Sequence, residues 1–471
     1  MSFIVKLSVV FIAILSVGFL PFAAFAVGDS SKSRKTSTSQ TTGAITKAKQ
    51  RKASTSQTGA ITKAKRRKAR ANQTGAITKV KQRKTRANQT GAITKVKQRK
   101  TTWTDNKEMP RKAPHTDNIL QPLKNSPTNH AGRIFIQNYD IAKLHPANGY
   151  GLENASRVLA TGDYLKERFP YEQPSFDLGQ SDPVMKIFQE HFQGVLEFLH
   201  PDQKDNPVRQ RLAHDSDLVL NNESIFVAKH AARLHYHALE QLLSPNAPIK
   251  RALSLARPPG HHASYKQGGG FCLINHMAVL LASEYLAKRR ALIIDFDIHQ
   301  GDGTEQILND NPERFRDMVQ FISVHVETPT DLTMSDKNVV PFFPGFYVKP
   351  YESNEHYIHN LPINDAPSFT LKNVSRLLTK KIGQISVAFP NWKPDIVLFS
   401  AGFDGHRDEI FHGGFRSKDY RTLAKSLMNQ IAESFKLDRW QLATLAIVEG
   451  GYNENALKSS VENFFLGLNE R

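Results

Sequence analysis

From residue 133 onward, short apolar and β-branched runs alternate with longer amphipathic stretches. The apolar runs predict strands at 133–136, 291–294, 395–401 and 445–448. The amphipathic stretches predict helices at 183–199, 224–243, 275–288, 371–388 and 417–435. Strands that alternate with helices in this way favour a parallel α/β sheet with helices on both faces.

Polar side chains follow the predicted strand at 291–294. Asp295, Asp297 and His299 are spaced two residues apart, so they point the same way if the extended backbone continues. Carboxylate oxygen and imidazole nitrogen are both good zinc ligands, and Asp297 and His299 could hold one ion. Taken alone, the run is equally well explained by a strand that ends in a polar turn.

Three further segments favour a catalytic metal site. His261 and His262 stand on a loop punctuated by Pro and Gly, where imidazoles could exchange protons with a bound water. Another apolar strand ends in Gly402-Phe403-Asp404, so Asp404 is a candidate third ligand. A last strand ends in Glu449-Gly450-Gly451-Tyr452, where a glycine hinge presents a tyrosine.

In this order the segments resemble those of the histone deacetylase family, which includes bacterial acetylpolyamine amidohydrolases. The resemblance covers residues 133–471 and includes Phe342-Phe343-Pro344-Gly345. It implies the arginase/deacetylase α/β fold. Glu449 before Gly-Gly-Tyr, together with the segment 402–408, is closer to the class II and bacterial branches than to class I.

The resemblance also implies the metal ligands. Asp297, His299 and Asp404 would hold catalytic Zn²⁺, because three protein ligands leave positions open for water and the substrate carbonyl. A structural K⁺ would be held by Asp295, Ser323 and Val324, with backbone carbonyls of Asp297 and His299. The potassium site rests on the resemblance alone.

Roles for the remaining site residues follow from the same resemblance. His262 would act as general base and then general acid, oriented by Asp302. His261 would supply electrostatic support, and the Tyr452 hydroxyl would meet the negative charge that develops on the carbonyl oxygen. Buried core histidines and a packed tyrosine are the structural alternatives for these residues.

Further residues would surround the substrate or the metal ligands. Gly270, Phe271 and Phe343 would line a tunnel around the lysine stem, and the stretch 202–222 could form a substrate rim. Gln300 departs from the many relatives that carry a second histidine there, so we expect altered bonding around the ligands rather than lost activity. Cys272, the only cysteine, excludes an intrachain disulfide and is expected to be a packed, unreactive thiol.

Charge divides the chain sharply. Residues 27–112 contain 25 lysines and arginines but only three acids, whereas residues from 113 onward contain 37 basic and 41 acidic residues. The net charge of +19 therefore belongs to the N-terminal region. Four copies of Thr-Gly-Ala-Ile-Thr-Lys-x-Lys-x-Arg-Lys repeat there every 16 residues between 42 and 100.

The sequence predicts four segments. Residues 1–26 have the pattern of a secretory signal peptide, with an uncleaved membrane anchor as the alternative. Residues 27–102 form a basic repeat region, which is expected to be disordered because each repeat has a single isoleucine to bury. A proline-rich linker at 103–132 precedes the catalytic domain at 133–471.

The basic repeats fit a nuclear-import signal, a DNA-binding arm or a solubilising tail. The leading functional hypothesis is therefore a secreted, zinc-dependent protein lysine deacetylase, with histones of a host cell and the host nucleus as candidate target and destination. An acetylpolyamine or other small-molecule amidohydrolase is the alternative with the same chemistry. A catalytically silent chromatin or nucleic-acid binding module is the alternative of another class.

Overall fold

The computed structural model describes residues 132–148, 151–199, 218–327 and 356–470. The predicted signal peptide and basic repeats lie outside these ranges, as do Phe343, the linker up to residue 131 and the rim segment 202–217. Among the described residues, no helix is long and apolar enough to cross a membrane.

Eight strands in the described part of the chain form one parallel sheet. Their order across the sheet is β2-β1-β3-β8-β7-β4-β5-β6. The strands are β1 Arg133–Ile136, β2 Tyr171–Glu172, β3 Arg251–Leu255, β4 Ala291–Asp295, β5 Val319–Val326, β6 Ile358–Ile363, β7 Ile396–Ala401 and β8 Ala443–Val448. The central strands are buried along their whole length, because helices cover both faces of the sheet.

The helices that cover the sheet follow the predicted alternation. They are α1 Tyr139–Ala142, α2 Ser156–Lys166, α3 Pro183–His191, α4 Gln193–Leu199, α5 Ser224–Leu243, α6 His276–Leu281, α7 Asp302–Asp310, α8 Pro312–Phe315, α9 Leu371–Ala388, α10 Ser417–Phe435 and α11 Glu454–Asn469. The structure therefore confirms the predicted α/β fold with helices on both faces.

Successive strand residues enter two separate apolar layers. In β4, Leu292 and Ile294 pack into the layer formed with α2, α9, α10 and α11, while Ala291 and Ile293 pack into the layer formed with α3, α5, α6 and α7. This alternation follows from the pleat of the strand. In β4 the first polar residue is Asp295 at the carboxyl end of the strand, which is where the candidate site begins.

Two predicted helices are shorter than their apolar periodicity suggested. The helix predicted over 183–199 is divided at Phe192, because the Val195 amide donates to the carbonyl of Tyr265 instead of to its own helix. The helix predicted over 275–288 ends at Leu281. The Ser283 hydroxyl donates a hydrogen bond to the Leu280 carbonyl just beyond this end. Both boundaries depend on hydrogen bonds that an apolar pattern does not reveal.

Candidate active site

Four neighbouring strands carry the predicted site residues at their carboxyl ends. The strands β3, β8, β7 and β4 lie side by side in the sheet. Asp295 at the end of β4 pairs with Ser400, and Ala401 at the end of β7 pairs with Val448. Because these parallel strands end at the same level, the loops that follow them meet at one edge of the sheet.

The three predicted zinc ligands form one buried cluster on that edge. His299 Nδ1 lies 3.0 Å from Asp297 Oδ1 and 3.0 Å from Asp404 Oδ2. Ligand atoms of the three residues all lie within 4.8 Å of one another. The edges of a tetrahedral zinc site with bonds of about 2.0–2.1 Å measure about 3.3 Å, so these separations suit three ligands of one ion.

The hydrogen bonds of the two carboxylates leave room for a cation. The Gly450 amide donates to Asp297 Oδ2 over 2.9 Å, and the Ile298 amide donates to Asp404 Oδ1 over 3.1 Å. Asp404 Oδ2 is fully buried, and its polar neighbour is His299 Nδ1 at 3.0 Å. Two fully buried carboxylates that share one imidazole are costly unless a cation compensates their charge, so the cluster fits a bound metal ion.

The pKa values of Asp404 and His299 also indicate that the cluster has more negative than positive charge. Burial and the neighbouring charge of Asp297 raise the pKa of Asp404 to about 6. Burial lowers the pKa of His299, but contacts with Asp297 and Asp404 outweigh it and bring that pKa to about 9. Without a metal, the cluster therefore holds protons that a divalent cation would displace.

The tandem histidines each pair with a separate carboxylate. His261 Nδ1 lies 3.0 Å from Asp295 Oδ2, and His262 Nδ1 lies 2.6 Å from Asp302 Oδ1. The two ring centroids are 3.9 Å apart. His261 Nε2 also lies 3.8 Å from Asp297 Oδ2, so the histidine loop adjoins the metal cluster directly.

The two histidines differ in their charge. Burial opposes protonation of His261, but the carboxylates of Asp295 and Asp297 outweigh it and raise its pKa well above the usual value. Burial and the neighbouring imidazoles of His261 and His299 hold the pKa of His262 well below the usual value. His262 is therefore the neutral imidazole of the pair, which is the form that a general base needs.

The Gly450-Gly451 hinge brings the Tyr452 loop against the metal cluster. A Cβ on Gly450 would lie 2.4 Å from Asp404 Oδ2 and 2.5 Å from Asp297 Oδ2, so this position requires glycine. Gly451 has φ +123°, a conformation that favours glycine. The Tyr452 ring stands edge-on to Phe271, with centroids 5.5 Å apart. Glycine is therefore required at 450 by the close approach of two carboxylates and favoured at 451 by the backbone conformation.

Two buried side chains that the sequence analysis missed hold this loop. Arg157 of α2 donates to the carbonyls of Glu449 and Gly451, each over 2.6 Å, and its guanidinium lies 4.8 Å from the Tyr452 ring centroid. Glu409 Oε1 accepts hydrogen bonds from the amides of Tyr452 and Asn453, each over 2.9 Å. Neither residue lies in a segment whose spacing signals a site.

The structure describes two of the three residues that the sequence predicts for the wall of the substrate tunnel. Gly270 and Phe271 both have positive φ, and Phe271 faces Tyr452. Phe411, which the sequence analysis did not select, lies with its ring centroid 4.6 Å from that of His299. Phe343 lies outside the described residues. The substrate-lining role of these residues stays a prediction.

The residues of the predicted potassium site are neighbours in the sheet. Asp295 on β4 pairs in register with Ser323 on β5, and Val324 follows Ser323. The potassium ion itself stays a prediction.

Gln300, which stands where many relatives carry a second histidine, donates a hydrogen bond to Glu305 Oε2 over 2.7 Å. Gln300 thus has a buried partner next to His299, and the expected retention of activity stays a prediction.

The fold and the site together define a class of protein: an α/β domain with the arginase/deacetylase fold, whose candidate site lies at the carboxyl edge of a parallel sheet. Residues 152–468 match the histone deacetylase domain family. The chain belongs to this family, whose members include histone deacetylases and acetylpolyamine amidohydrolases.

Individual relatives carry both kinds of name. Histone deacetylase 6 of Caenorhabditis elegans is 27% identical over 58% of this chain, but the match spans only 27% of that relative. The acetylpolyamine amidohydrolase of Burkholderia pseudomallei is 25% identical over 67% of this chain and 90% of its own length. A probable deacetylase of Archaeoglobus fulgidus is 27% identical over 69% of this chain and 82% of its own length.

Solved structures show the same fold. A crystal structure of the Burkholderia pseudomallei acetylpolyamine aminohydrolase covers 72% of this chain with a TM-score of 0.53 and 21% identity. The HDA15 HD domain also covers 72%, with a TM-score of 0.51 and 20% identity. At this identity the likeness concerns the architecture, and the substrate has to be argued separately.

Proposed function

We propose that this chain is a zinc-dependent deacetylase that hydrolyses acetyl-lysine amides on proteins. The observation that carries the proposal is the buried cluster of Asp297, His299 and Asp404, whose ligand atoms lie within 4.8 Å of one another. The two histidine–carboxylate pairs and Tyr452 stand around it. This arrangement joins a three-ligand metal site to a base and an oxyanion donor, which amide hydrolysis requires.

Asp297, His299 and Asp404 would hold the zinc. When bound, zinc polarises the amide carbonyl and lowers the pKa of the attacking water. Asp302 accepts a hydrogen bond from His262 Nδ1, which leaves His262 Nε2 as the acceptor on the other side of the ring. His262 Nε2 takes the proton from water and later gives it to the leaving lysine amine.

His261 and Tyr452 stabilise the charge that develops during this proton transfer. His261 stays protonated between Asp295 and Asp297 and adds positive charge beside the reacting centre. Burial, together with the negative charges of Asp404 and Asp297, holds the pKa of Tyr452 above its usual value, so its hydroxyl keeps its proton. Tyr452 can therefore donate a hydrogen bond to the former carbonyl oxygen as it becomes negative.

The test compares two substrates on one zinc-loaded preparation. Acetylated histone peptides and acetylputrescine both present an acetylated primary amine on a flexible stem, so the zinc chemistry alone does not separate them. We expect the peptides to give the higher kcat/KM. Faster hydrolysis of acetylputrescine would favour the polyamine alternative, which the Burkholderia pseudomallei relative's name supports. Failure to hydrolyse either substrate would favour the silent binding module.

We also propose a place of action, from the conflict between the two N-terminal signals. A cleaved signal peptide at residues 1–26 would export the chain from its producer, whereas repeated Lys/Arg clusters attract nuclear-import receptors or phosphate backbones. Both signals are consistent if a bacterium secretes the enzyme toward a eukaryotic host. Fluorescent fusions of residues 27–471, with native repeats or with the repeat Lys and Arg replaced by Gln, test this. Equal nuclear enrichment of the two would refute the targeting role.

A further inference from the structure

A second group of possible metal ligands lies beside the first. His261, Cys272 and Glu449 offer ligand atoms that all lie within 4.8 Å of one another. Their exposed fractions are 3%, 0% and 1%, so the group is buried. It adjoins the first cluster through His261 Nε2, which lies 3.8 Å from Asp297 Oδ2.

The group contains ligand atoms that the protein leaves poorly satisfied. Glu449 Oε2 accepts hydrogen bonds from the amides of Gly260 and His261, over 2.7 and 3.3 Å, but Glu449 Oε1 has no partner although it is buried. The Cys272 thiol lies 3.5 Å from the Gly270 carbonyl and also has a backbone hydrogen bond with His262. The buried Glu449 Oε1 is therefore the second, independent observation that points to a cation ligand in this group.

The chemistry of the group suits zinc. Thiolate, imidazole and carboxylate are the three protein ligand types that Zn²⁺ accepts, and thiolate disfavours the hard cations Mg²⁺ and Ca²⁺. Paired metal ions about 3.5–4 Å apart occur in other hydrolases, so a first zinc next door does not forbid a second. Five carboxylates lie in or beside the two groups and offset the added charge: Asp295, Asp297, Asp302, Asp404 and Glu449.

We propose that His261, Cys272 and Glu449 form a second, weaker zinc site that inhibits the deacetylase when zinc is in excess. The inference rests on the proposed function, since inhibition presupposes deacetylation. A Cys272 S–Zn bond forms as the thiol proton leaves to solvent, and His261 Nε2 becomes a zinc ligand. His261 Nε2, which lies 3.8 Å from Asp297 Oδ2, is then bound to the second ion and is no longer available to the reacting centre. The Cys272 thiol is fully buried and must lose its proton to bind zinc, which makes this site the weaker of the two.

The experiment counts metal ions on the full chain. Zinc is titrated into metal-free protein against a chromophoric chelator, and cobalt is titrated in parallel to detect thiolate-to-cobalt charge-transfer absorption. We expect two zinc ions per wild-type chain, with deacetylation lost as the second binds. Cys272→Ala should keep the first zinc and the basal turnover, lose the thiolate absorption, and raise the inhibitory zinc concentration at least about tenfold.

Three further variants separate the outcomes. Glu449→Gln should weaken only the second zinc, whereas Glu305→Gln changes a buried carboxyl outside both groups and should leave both ions in place. Asp404→Ala should remove the first ion and keep the thiolate absorption. If Cys272→Ala does not fold, Cys272→Ser serves in its place, with the first zinc as the sign of folding.

Two results would overturn the second site: one zinc per wild-type chain in excess metal, or an unchanged second zinc in folded Cys272→Ala. Unaltered turnover with both ions bound would overturn the inhibitory role. A chain that binds two zinc ions but deacetylates neither substrate even when only the first zinc is bound would instead refute the proposed function and leave the second site standing.

Discussion

Asp404 contributes to the candidate active site through one atom. Its Oδ2 is buried and lies 3.0 Å from His299 Nδ1, while its Oδ1 accepts the Ile298 amide. Asp404→Ala leaves two protein ligands, so we expect the first zinc to be lost and deacetylation with it. Metal analysis after gel filtration and an activity assay check this. Removal of zinc by a chelator should abolish the activity of the native chain, and added zinc should restore it.

A matched control is available in the same buried layer of the protein. Glu305→Gln alters a buried carboxyl whose Oε1 also lacks a partner, yet it lies in neither ligand group. It should retain the first zinc and its activity. Normal deacetylation by verified metal-free protein would contradict the zinc mechanism.

A Tyr452 variant can separate an effect on turnover from an effect on zinc binding, which a variant of a zinc ligand cannot do. Its side chain contacts Phe271 and Arg157, and we assign it no ligand atom for the first zinc. Tyr452→Phe keeps the ring and removes only the hydroxyl. We expect a fall in kcat of roughly 10²–10³, the usual effect of losing one oxyanion donor, with zinc content unchanged. Near-normal kcat would show that the hydroxyl does not stabilise the transition state.

At the level of elements, the loops after β7 and β8 depend on very close backbone approach. Gly450→Ala would place a methyl 2.4 Å from Asp404 Oδ2, so the hinge or the ligands must move. We expect loss of zinc affinity and of turnover. Gly383→Ala on α9 is the control, because nothing lies within 4 Å of its Cβ and alanine should stabilise the helix by about 0.5–1 kcal/mol. Zinc titration and thermal unfolding of both variants measure the contrast.

The loops also show what the sequence could and could not predict. Asp297, His299 and Asp404 follow buried strands directly, and parallel strands bring such ends together, so the ligands could be found from pattern and motif. Arg157 and Glu409 reach the Tyr452 loop from 294 and 43 residues away, and nothing in their local pattern marks those contacts. The break at Phe192 has the same cause, since the acceptor Tyr265 lies far along the chain.

For the whole molecule, the buried, neutral His359 contributes to the way the free energy of unfolding changes with pH. Burial and the charge of Lys381 lower the pKa of His359 to about 4, against about 6.5 when unfolded. The unfolded chain therefore takes up a proton that the folded chain refuses, and the stability present above pH 6.5 is lost as pH falls toward 4. His359→Gln should reduce the slope of unfolding free energy in this window by up to about 1.4 kcal/mol per pH unit.

Urea unfolding at several pH values measures that slope. Val387→Gln, at an exposed and non-titrating position of α9, is the control and should leave that slope unchanged. An identical slope for wild type and His359→Gln would show that His359 is protonated equally in both states. Measurements on metal-free and zinc-loaded protein should agree, since His359 is in neither ligand group.

Charge is distributed over the whole chain in a way that predicts separable behaviour toward DNA. Residues 27–112 hold 25 basic side chains and three acids, whereas the chain from residue 113 holds slightly more acids than bases. The region between Val27 and Thr102 contains no aromatic residue, so it lacks stacking platforms for bases, and any binding should be electrostatic and indifferent to sequence.

If about eight basic side chains of residues 27–112 meet phosphates, the logarithm of the DNA association constant should fall with the logarithm of salt concentration at a slope of about −7. Replacing the repeat Lys and Arg by Gln should flatten this slope and weaken binding about equally for all DNA sequences. Deacetylation of a short acetylated peptide should be unaffected, because the substituted residues include none of the residues proposed to carry out the chemistry. Fluorescence anisotropy at several salt concentrations measures the slope, and equal DNA affinity of the two chains would leave the repeats as a solubilising or surface-adhering tail.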